Sequence, residues 1–259
     1  MILRLVEFFF RLFLNLSKRD QVILNNLRLC FPEFSEKQVK EIKSKCIKFY
    51  SKAIYELLTF KVFSRSWLQS NVKIDKLPKL DPNRANLLLS AHLSNFEILL
   101  QLTHLLNKKV YFFAKPFKPF FLFKLYTKLR ASKNAEWFTG LIRLKELLRT
   151  HQCVGFIFDQ HVPKERAVIA DFFGVPSTFP KFLPVLIGKF KPQIFFVSVL
   201  WLGNYYQVSF EELTLTDDEN AQTLPSKFNS LVEALVRQHP EQYFWFHRKF
   251  KYFLQADQK

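Results

Sequence analysis

Glycine is scarce. Only five occur in 259 residues, at positions 140, 155, 174, 188 and 203, roughly 2% where about 7% is usual, and no two stand close together. A P-loop and a dinucleotide fingerprint both need clustered glycines, so neither can be built here. Cysteine is nearly missing too. Cys30, Cys46 and Cys153 are odd in number and show no CxxC spacing, which argues against a disulfide framework and a zinc knuckle and favours a reducing compartment. The six histidines show no ligand spacing with them, so neither metal nor cofactor is expected. Long apolar runs are also lacking. The most apolar stretch, residues 1–16 (MILRLVEFFFRLFLNL), is interrupted by Arg4, Glu7 and Arg11 and falls short of the about 20 apolar residues of a spanning helix.

Basic charge and phenylalanine are in excess. Thirty-nine Lys and Arg against 22 Asp and Glu give a net charge of +17, which calls for acidic partners: an anionic lipid surface, a nucleic acid or an acidic carrier protein. Thirty-two phenylalanines with four Trp and eight Tyr make the chain 17% aromatic, and many of these rings are expected at the surface. On a helix, residues 1–16 are apolar almost all round, which suits a segment lying in one leaflet with its arginines reaching the headgroups. The alternative is an N-terminal helix packed on the domain. A signal peptide fits less well, because charges break the apolar region and no small-residue cleavage site follows. The stretch 115–124 (KPFKPFFLFK) interleaves base and aromatic, as an interfacial segment does. It could also stack bases, but no RNP, helix-turn-helix or finger spacing accompanies it, so nucleic acid is not an expected partner.

Residues 17–80 read as a helical preface, with Pro32 ending one helix and Ser35, Glu36 and Gln38 opening the next. From residue 85, short apolar runs at 85–91, 110–114, 153–158, 193–201 and 205–210 read as strands. Helical stretches lie near 95–107, 119–130, 140–150, 180–190 and 225–238, while 162–171 reads as a turn and 217–219 as a solvated acidic loop. This alternation predicts an α/β fold: a mixed, substantially parallel sheet flanked by helices, with an N-terminal helical extension. Residues 17–259 are expected to form one domain behind the helix of residues 1–16, and the chemistry belongs at the carboxyl ends of the strands.

Polar residues gather at two such ends. Ala91-His92-Leu93-Ser94-Asn95-Phe96-Glu97 follows one apolar strand, and Asp159-Gln160-His161 follows another. If a helix starts near Ser94, Glu97 falls in its first turn and can fold back to the imidazole of His92, fixing its tautomer and leaving the other nitrogen to take a proton from an attacking hydroxyl. The same residues read equally as a capping box, Ser94-x-x-Glu97. Asp159 alone is an ordinary turn former.

Taken together, NLRLCFPE (26–33), AHLSNFE (91–97), DQHVPKER (159–166), DFFGVP (171–176) and HPEQYFWFHRKFK (239–251) resemble, in order and spacing, the late acyltransferases of lipid A biosynthesis, part of the wider glycerolipid acyltransferase group with an H-x4-D/E motif. The resemblance covers nearly all of residues 20–252. It implies a transfer without a covalent acyl-enzyme, from the thioester of an acyl carrier protein to a hydroxyl of a Kdo-bearing lipid A precursor, at the cytoplasmic face of the inner membrane. His92 would be the base, Glu97 its orienting partner, and Arg130 a holder of phosphate or oxyanion. Asp159 and Gln160 would shape the site, with Asn95, His247 and Arg248 in support. Two departures stand out: the N-terminal apolar segment is shorter than the family's, and Ser177-Thr178-Phe179-Pro180-Lys181 replaces its run of small residues. Other acceptors, a glycerolipid or a lipid amine, are the alternatives within enzymes, and a non-catalytic basic membrane-associated protein the alternative outside them.

Overall fold

The computed structural model describes residues 2–59, 61–101, 103, 106, 108–114, 119–129, 134–215 and 223–253. Its first part is helical: α1 (Ile2–Leu16), α2 (Arg19–Cys30), α3 (Glu36–Leu58) and α4 (Arg65–Asn71). α2 stops before Pro32, which cannot continue a helix. α3 begins on a capping box in which the Ser35 side chain accepts from the Gln38 amide and Gln38 Oε1 accepts from the Ser35 amide, satisfying two amides that a helix start leaves unpaired.

The second part alternates. Strands β1 (Val72–Ile74), β2 (Asn86–Ser90), β3 (Val110–Phe113), β4 (Ala135–Phe138), β5 (Cys153–Ile157), β8 (Gln193–Trp201) and β9 (Tyr206–Glu212) form one sheet of seven in the order β1-β9-β8-β2-β5-β3-β4. β8, β2, β5, β3 and β4 are parallel neighbours, whereas β9 runs antiparallel to β8 and carries β1 at its edge. Helices α5 (Phe120–Leu129), α6 (Leu141–Arg149), α7 (Phe182–Phe190) and α8 (Leu224–Gln238) flank it. Every residue of β2 is buried, as expected for a central parallel strand covered on both faces. The expected α/β class with a substantially parallel sheet is the observed one.

Differences from the sequence reading are local. The segment 162–171 is not a turn: Ala167–Phe172 (β6) pairs antiparallel with Val175–Pro180 (β7) in a separate hairpin. Its two-residue turn, Phe173-Gly174, has φ of 57° and 69°, the left-handed geometry that matches strand twist. The helix expected near 95–107 is, in its described part, a short 3-10 helix, Phe96–Gln101. Aromatic rings are mostly inside: among the described residues the exposed phenylalanines are Phe8, Phe9, Phe13 and Phe121. Arg130, Lys115–Lys118 and the acidic run 217–219 lie outside the described residues.

α1 reconciles the two readings of the first sixteen residues. A narrow line packs inward, with Leu14 buried and the Phe10 ring 5.3 Å from that of Phe246. Ile2, Leu5, Phe8, Phe9, Phe13 and Leu16 are more than half exposed or nearly so, Leu16 at 78%. Such a contiguous apolar face is larger than soluble surfaces tolerate without a partner. No helix among the described residues is long and apolar enough to cross a membrane.

Candidate active site

β2 and β5 are hydrogen-bonded side by side with Ser90 opposite Ile157. Two residues further along each chain stand His92 and Asp159, so the register alone sets them facing each other at the carboxyl edge of the sheet. The imidazole Nδ1 lies 2.5 Å from Asp159 Oδ1, and the same oxygen accepts the His92 backbone N–H at 2.9 Å. The His92 side chain keeps 17% of its surface exposed, against 3% for Asp159, so the ring reaches outward from a carboxylate sealed behind it. On the other side, Gln160 Nε2 stands 3.3 Å from His92 Nε2. With Nδ1 donating to a carboxylate, Nε2 holds the lone pair and accepts from the Gln160 amide.

The tail of the chain frames this pair. The Lys249 ammonium, buried at 5% exposure, donates to the Asp159 backbone carbonyl at 2.7 Å and sits 4.3 Å from the centre of the Phe172 ring. Phe244 N–H donates to the His92 carbonyl, Ser94 N–H to that of Gln242, and Tyr50 Oη to both the His92 and Gln242 carbonyls. The tail is in turn held by the preface: Asn26 Nδ2 donates to the carbonyls of Trp245 and His247, and Arg19 to that of Phe246. Between His92 and the 3-10 helix the chain turns through Ser94, whose φ of 54° is unusual for a residue with a side chain.

Burial alone would push the Asp159 carboxyl up. The charge and hydrogen bond of His92, the Lys249 ammonium and the His92 amide outweigh it and hold Asp159 well below the usual carboxylate range. Burial draws Lys249 down, against the pull of Asp159. Burial also pushes up the phenol of Tyr243, as do the charge of Asp159 and a hydrogen bond to it.

A cavity of about 230 Å³ opens beside the imidazole. His92 and Gln160 are its polar groups; Phe96, Phe112, Phe113, Phe123 and Trp137 supply most of the rest. Gly155 is what lets the Phe112 ring lie flat against β5, since a Cβ there would stand 2.6 Å from Phe112 Cε1. An elongated apolar chain fits such a cavity, with its polar end at His92.

The pairing expected between His92 and Glu97 is not the one the structure makes. Among the described residues the ring nitrogens of His92 meet Asp159 and Gln160, while Glu97 is buried in the first turn of the 3-10 helix. The capping box is not formed either: the Ser94 hydroxyl is buried and has no hydrogen-bond partner. Asn95 points away and donates to Glu56, which also accepts from Tyr206 and pairs with Lys52. Arg248 is exposed, and the buried tail cation is its neighbour Lys249, to which the sequence alone assigned no role. His247 is stacked on His161, with His161 Nδ1 3.2 Å from its Nε2.

Burial, with His161 beside it, pushes the His247 imidazole down to about 3. The folded protein therefore keeps it neutral where an unfolded chain binds a proton, near pH 6.5. More protons on the unfolded state means stability falls as pH drops from about 6.5 towards 3. Asp159, whose folded value is depressed, adds its own loss only below about pH 4. Urea titrations at pH 7 and pH 5 are expected to show His247→Phe losing about 1–2 kcal/mol less than the wild type on acidification. Equal losses would show that His247 does not take up a proton on unfolding.

Comparison with known proteins gives the family. A family model described as "Bacterial lipid A biosynthesis acyltransferase" matches residues 1–252. A Haemophilus influenzae protein named lipid A biosynthesis acyltransferase is 22% identical over 243 residues, covering 91% of this chain and 78% of that one. Among solved structures, the 1-acyl-sn-glycerophosphate acyltransferase PlsC from Thermotoga maritima is similar at a TM-score of 0.42 with 13% identity, over 92% of this chain and 94% of that one. With the family model matched from end to end of the sheet, the preface and the tail, the chain belongs to the bacterial lipid A biosynthesis acyltransferases.

Proposed function

We propose that this chain moves a fatty acyl group from the thioester of an acyl carrier protein to a hydroxyl of a Kdo-bearing lipid A precursor, at the inner face of the inner membrane. The observation that carries this reading is the His92–Asp159 pair at the mouth of an aromatic cavity. The acyl chain lies in the cavity and its carbonyl stands at the rim. The acceptor hydroxyl replaces the Gln160 amide at Nε2 of His92. As the hydroxyl oxygen attacks the carbonyl, Nε2 takes its proton, and Asp159 stabilises the imidazolium that forms. When the tetrahedral intermediate collapses, the C–S bond breaks and the imidazolium returns the proton to the leaving thiolate. Gln160, released from the ring, is the amide donor nearest the developing oxyanion. α1 lies in the interface with its apolar face among the lipids, and the +17 charge draws the protein to an anionic leaflet and an acidic carrier.

Three outcomes test this reading. His92→Ala and Asp159→Asn are expected to lower transfer by about 10²–10⁴-fold while thermal melting shows folded protein, since the first removes the base and the second its charge partner. Glu97→Gln separates the two carboxylates: with Asp159 as the charge partner, it is expected to keep more activity than Asp159→Asn. Full activity in Asp159→Asn beside a crippled Glu97→Gln would return the partner's role to Glu97.

In Gly155→Ala the added methyl collides with the Phe112 ring, and both residues line the cavity. In competition between thioesters of graded length, the variant is expected to shift its preference to shorter chains. An unchanged preference would mean that the acyl chain lies elsewhere.

For α1, Phe8→Asp and Phe13→Asp alter side chains 61% and 58% exposed, so the fold is spared. Each should weaken partition onto phosphatidylglycerol vesicles by at least about tenfold. Wild-type partition in both would remove α1 from the anchoring role.

A further inference from the structure

Away from the catalytic cavity, a groove of about 430 Å³ runs between α6, α7 and the base of the β6–β7 hairpin. Its floor is apolar for a simple reason of spacing. Phe182 and Val185 fall three apart on α7, and Leu141 opens α6 on the facing side. Its rim is wholly cationic. Lys145 stands one turn beyond Leu141, so it shares that face of α6. Arg166 and Lys181 are brought together by the hairpin, whose open end is closed by the bond from Lys181 N–H to the Arg166 carbonyl at 2.9 Å. No acidic residue lines the groove. All three cations are exposed, and among the described residues none of them is ion-paired, although other surface cations such as Arg28, Lys45 and Arg143 are.

The floor stands open to water as well: Val185 is 61% and Leu141 42% exposed, with Ile142 beside them at 87%. A solvated charged surface does not need such side chains at its centre, and a purely apolar partner does not need three unpaired cations at its edge. The complementary molecule is amphiphilic and anionic. The groove is also adjacent to the reaction. The Phe182 ring packs 6.0 Å from that of Phe113, a wall of the catalytic cavity, and 6.3 Å from that of Phe156 on β5. A carrier protein would call for a broad convex contact. A concave slot one aromatic layer from the cavity suits a single lipid.

We infer that this groove holds the phosphate-bearing lipid acceptor, with a phosphate between Lys145, Arg166 and Lys181 and hydrocarbon along Leu141, Phe182 and Val185. The inference rests on the lipid-acceptor reading above and adds the place where that acceptor is recognised. It would bring the acceptor to His92 from the α7 side, while the acyl donor fills the cavity.

The test uses the full chain and two independent readouts. The first is direct binding of dihexanoyl phosphatidic acid, below its micelle concentration, against dihexanoyl phosphatidylcholine. Wild type is expected to favour the phosphatidic acid by at least about tenfold, Lys145→Ala/Arg166→Ala/Lys181→Ala to lose that preference, and Leu141→Ser/Val185→Ser to weaken both lipids alike. The second is transfer in mixed micelles, where the triple alanine variant should raise KM for a phosphorylated acceptor at least about tenfold with kcat unchanged. All five substituted side chains are exposed, so loss of fold does not cloud either result. Unchanged binding and KM would overturn the inference. So would a variant that keeps its micellar KM but loses partition onto phosphatidylglycerol vesicles, which would make the groove a membrane face, or one whose KM rises for the carrier protein instead. If the wild type binds phosphatidic acid selectively through these residues but transfers no acyl group, the groove stands and the proposed reaction falls.

Discussion

One buried negative charge organises the carboxyl edge of the sheet at His92. Asp159 is sealed from water, and a lone carboxylate there would cost several kcal/mol. Two parts of the chain offset that cost: the His92 amide and ring from the end of β2, which bond the carboxylate, and the charge of Lys249 from the tail. The arrangement is mutual, because Lys249 is as buried as its partner and the charge of Asp159 is the largest influence against its burial. Removing either charge leaves the other unpaired. The outward nitrogen of His92 is thus oriented by a group that water cannot reach, which keeps its direction independent of whatever arrives at the cavity.

The class of fold could be read from the sequence because apolar runs of strand length alternate with helical periods, and that pattern survives any detail of packing. The two polar clusters at 91–97 and 159–161 were legible for the same reason. Their pairing was not. Within one segment the eye sees His92 and Glu97 five residues apart, whereas His92 and Asp159 are sixty-seven apart and are joined only by the register of β2 against β5, which no local spacing encodes. Lys249 was hidden by its neighbours: in a run of alternating bases and aromatics, which base turns inward depends on where the tail is pinned, and that is decided by Asn26 and Arg19 some 220 residues away. The β6–β7 hairpin was obscured by the charged residues on its exposed edge, which read as a loop.

The excess of phenylalanine also has a different meaning in three dimensions. Most of the rings serve the interior, where Phe31, Phe172, Phe173 and Trp245 pack in mutual edge and tilted contacts beneath the site. The exposed ones are concentrated on α1. Basic charge is in excess over the chain as a whole, so the greasy face of α1 belongs to a strongly cationic molecule. The two attractions act over different ranges: charge over roughly a Debye length of 8–10 Å, apolar contact only on touching.

The stitching of the tail across the His92 loop has a consequence for how the enzyme comes into being. Strand β2 and its loop are synthesised early, yet the His92 carbonyl and the Ser94 N–H take backbone partners from Phe244 and Gln242. Before the tail is made, the sheet can pair and the preface can fold, but the His92 loop lacks the part of its frame that residues 242–244 supply. Its contacts are among the most distant in the chain, and such contacts form late because loop closure must come first. The frame around His92 is therefore complete only once residues 242–244 have been made and docked, and a nascent chain that stops short of them holds the His92–Asp159 pair without it.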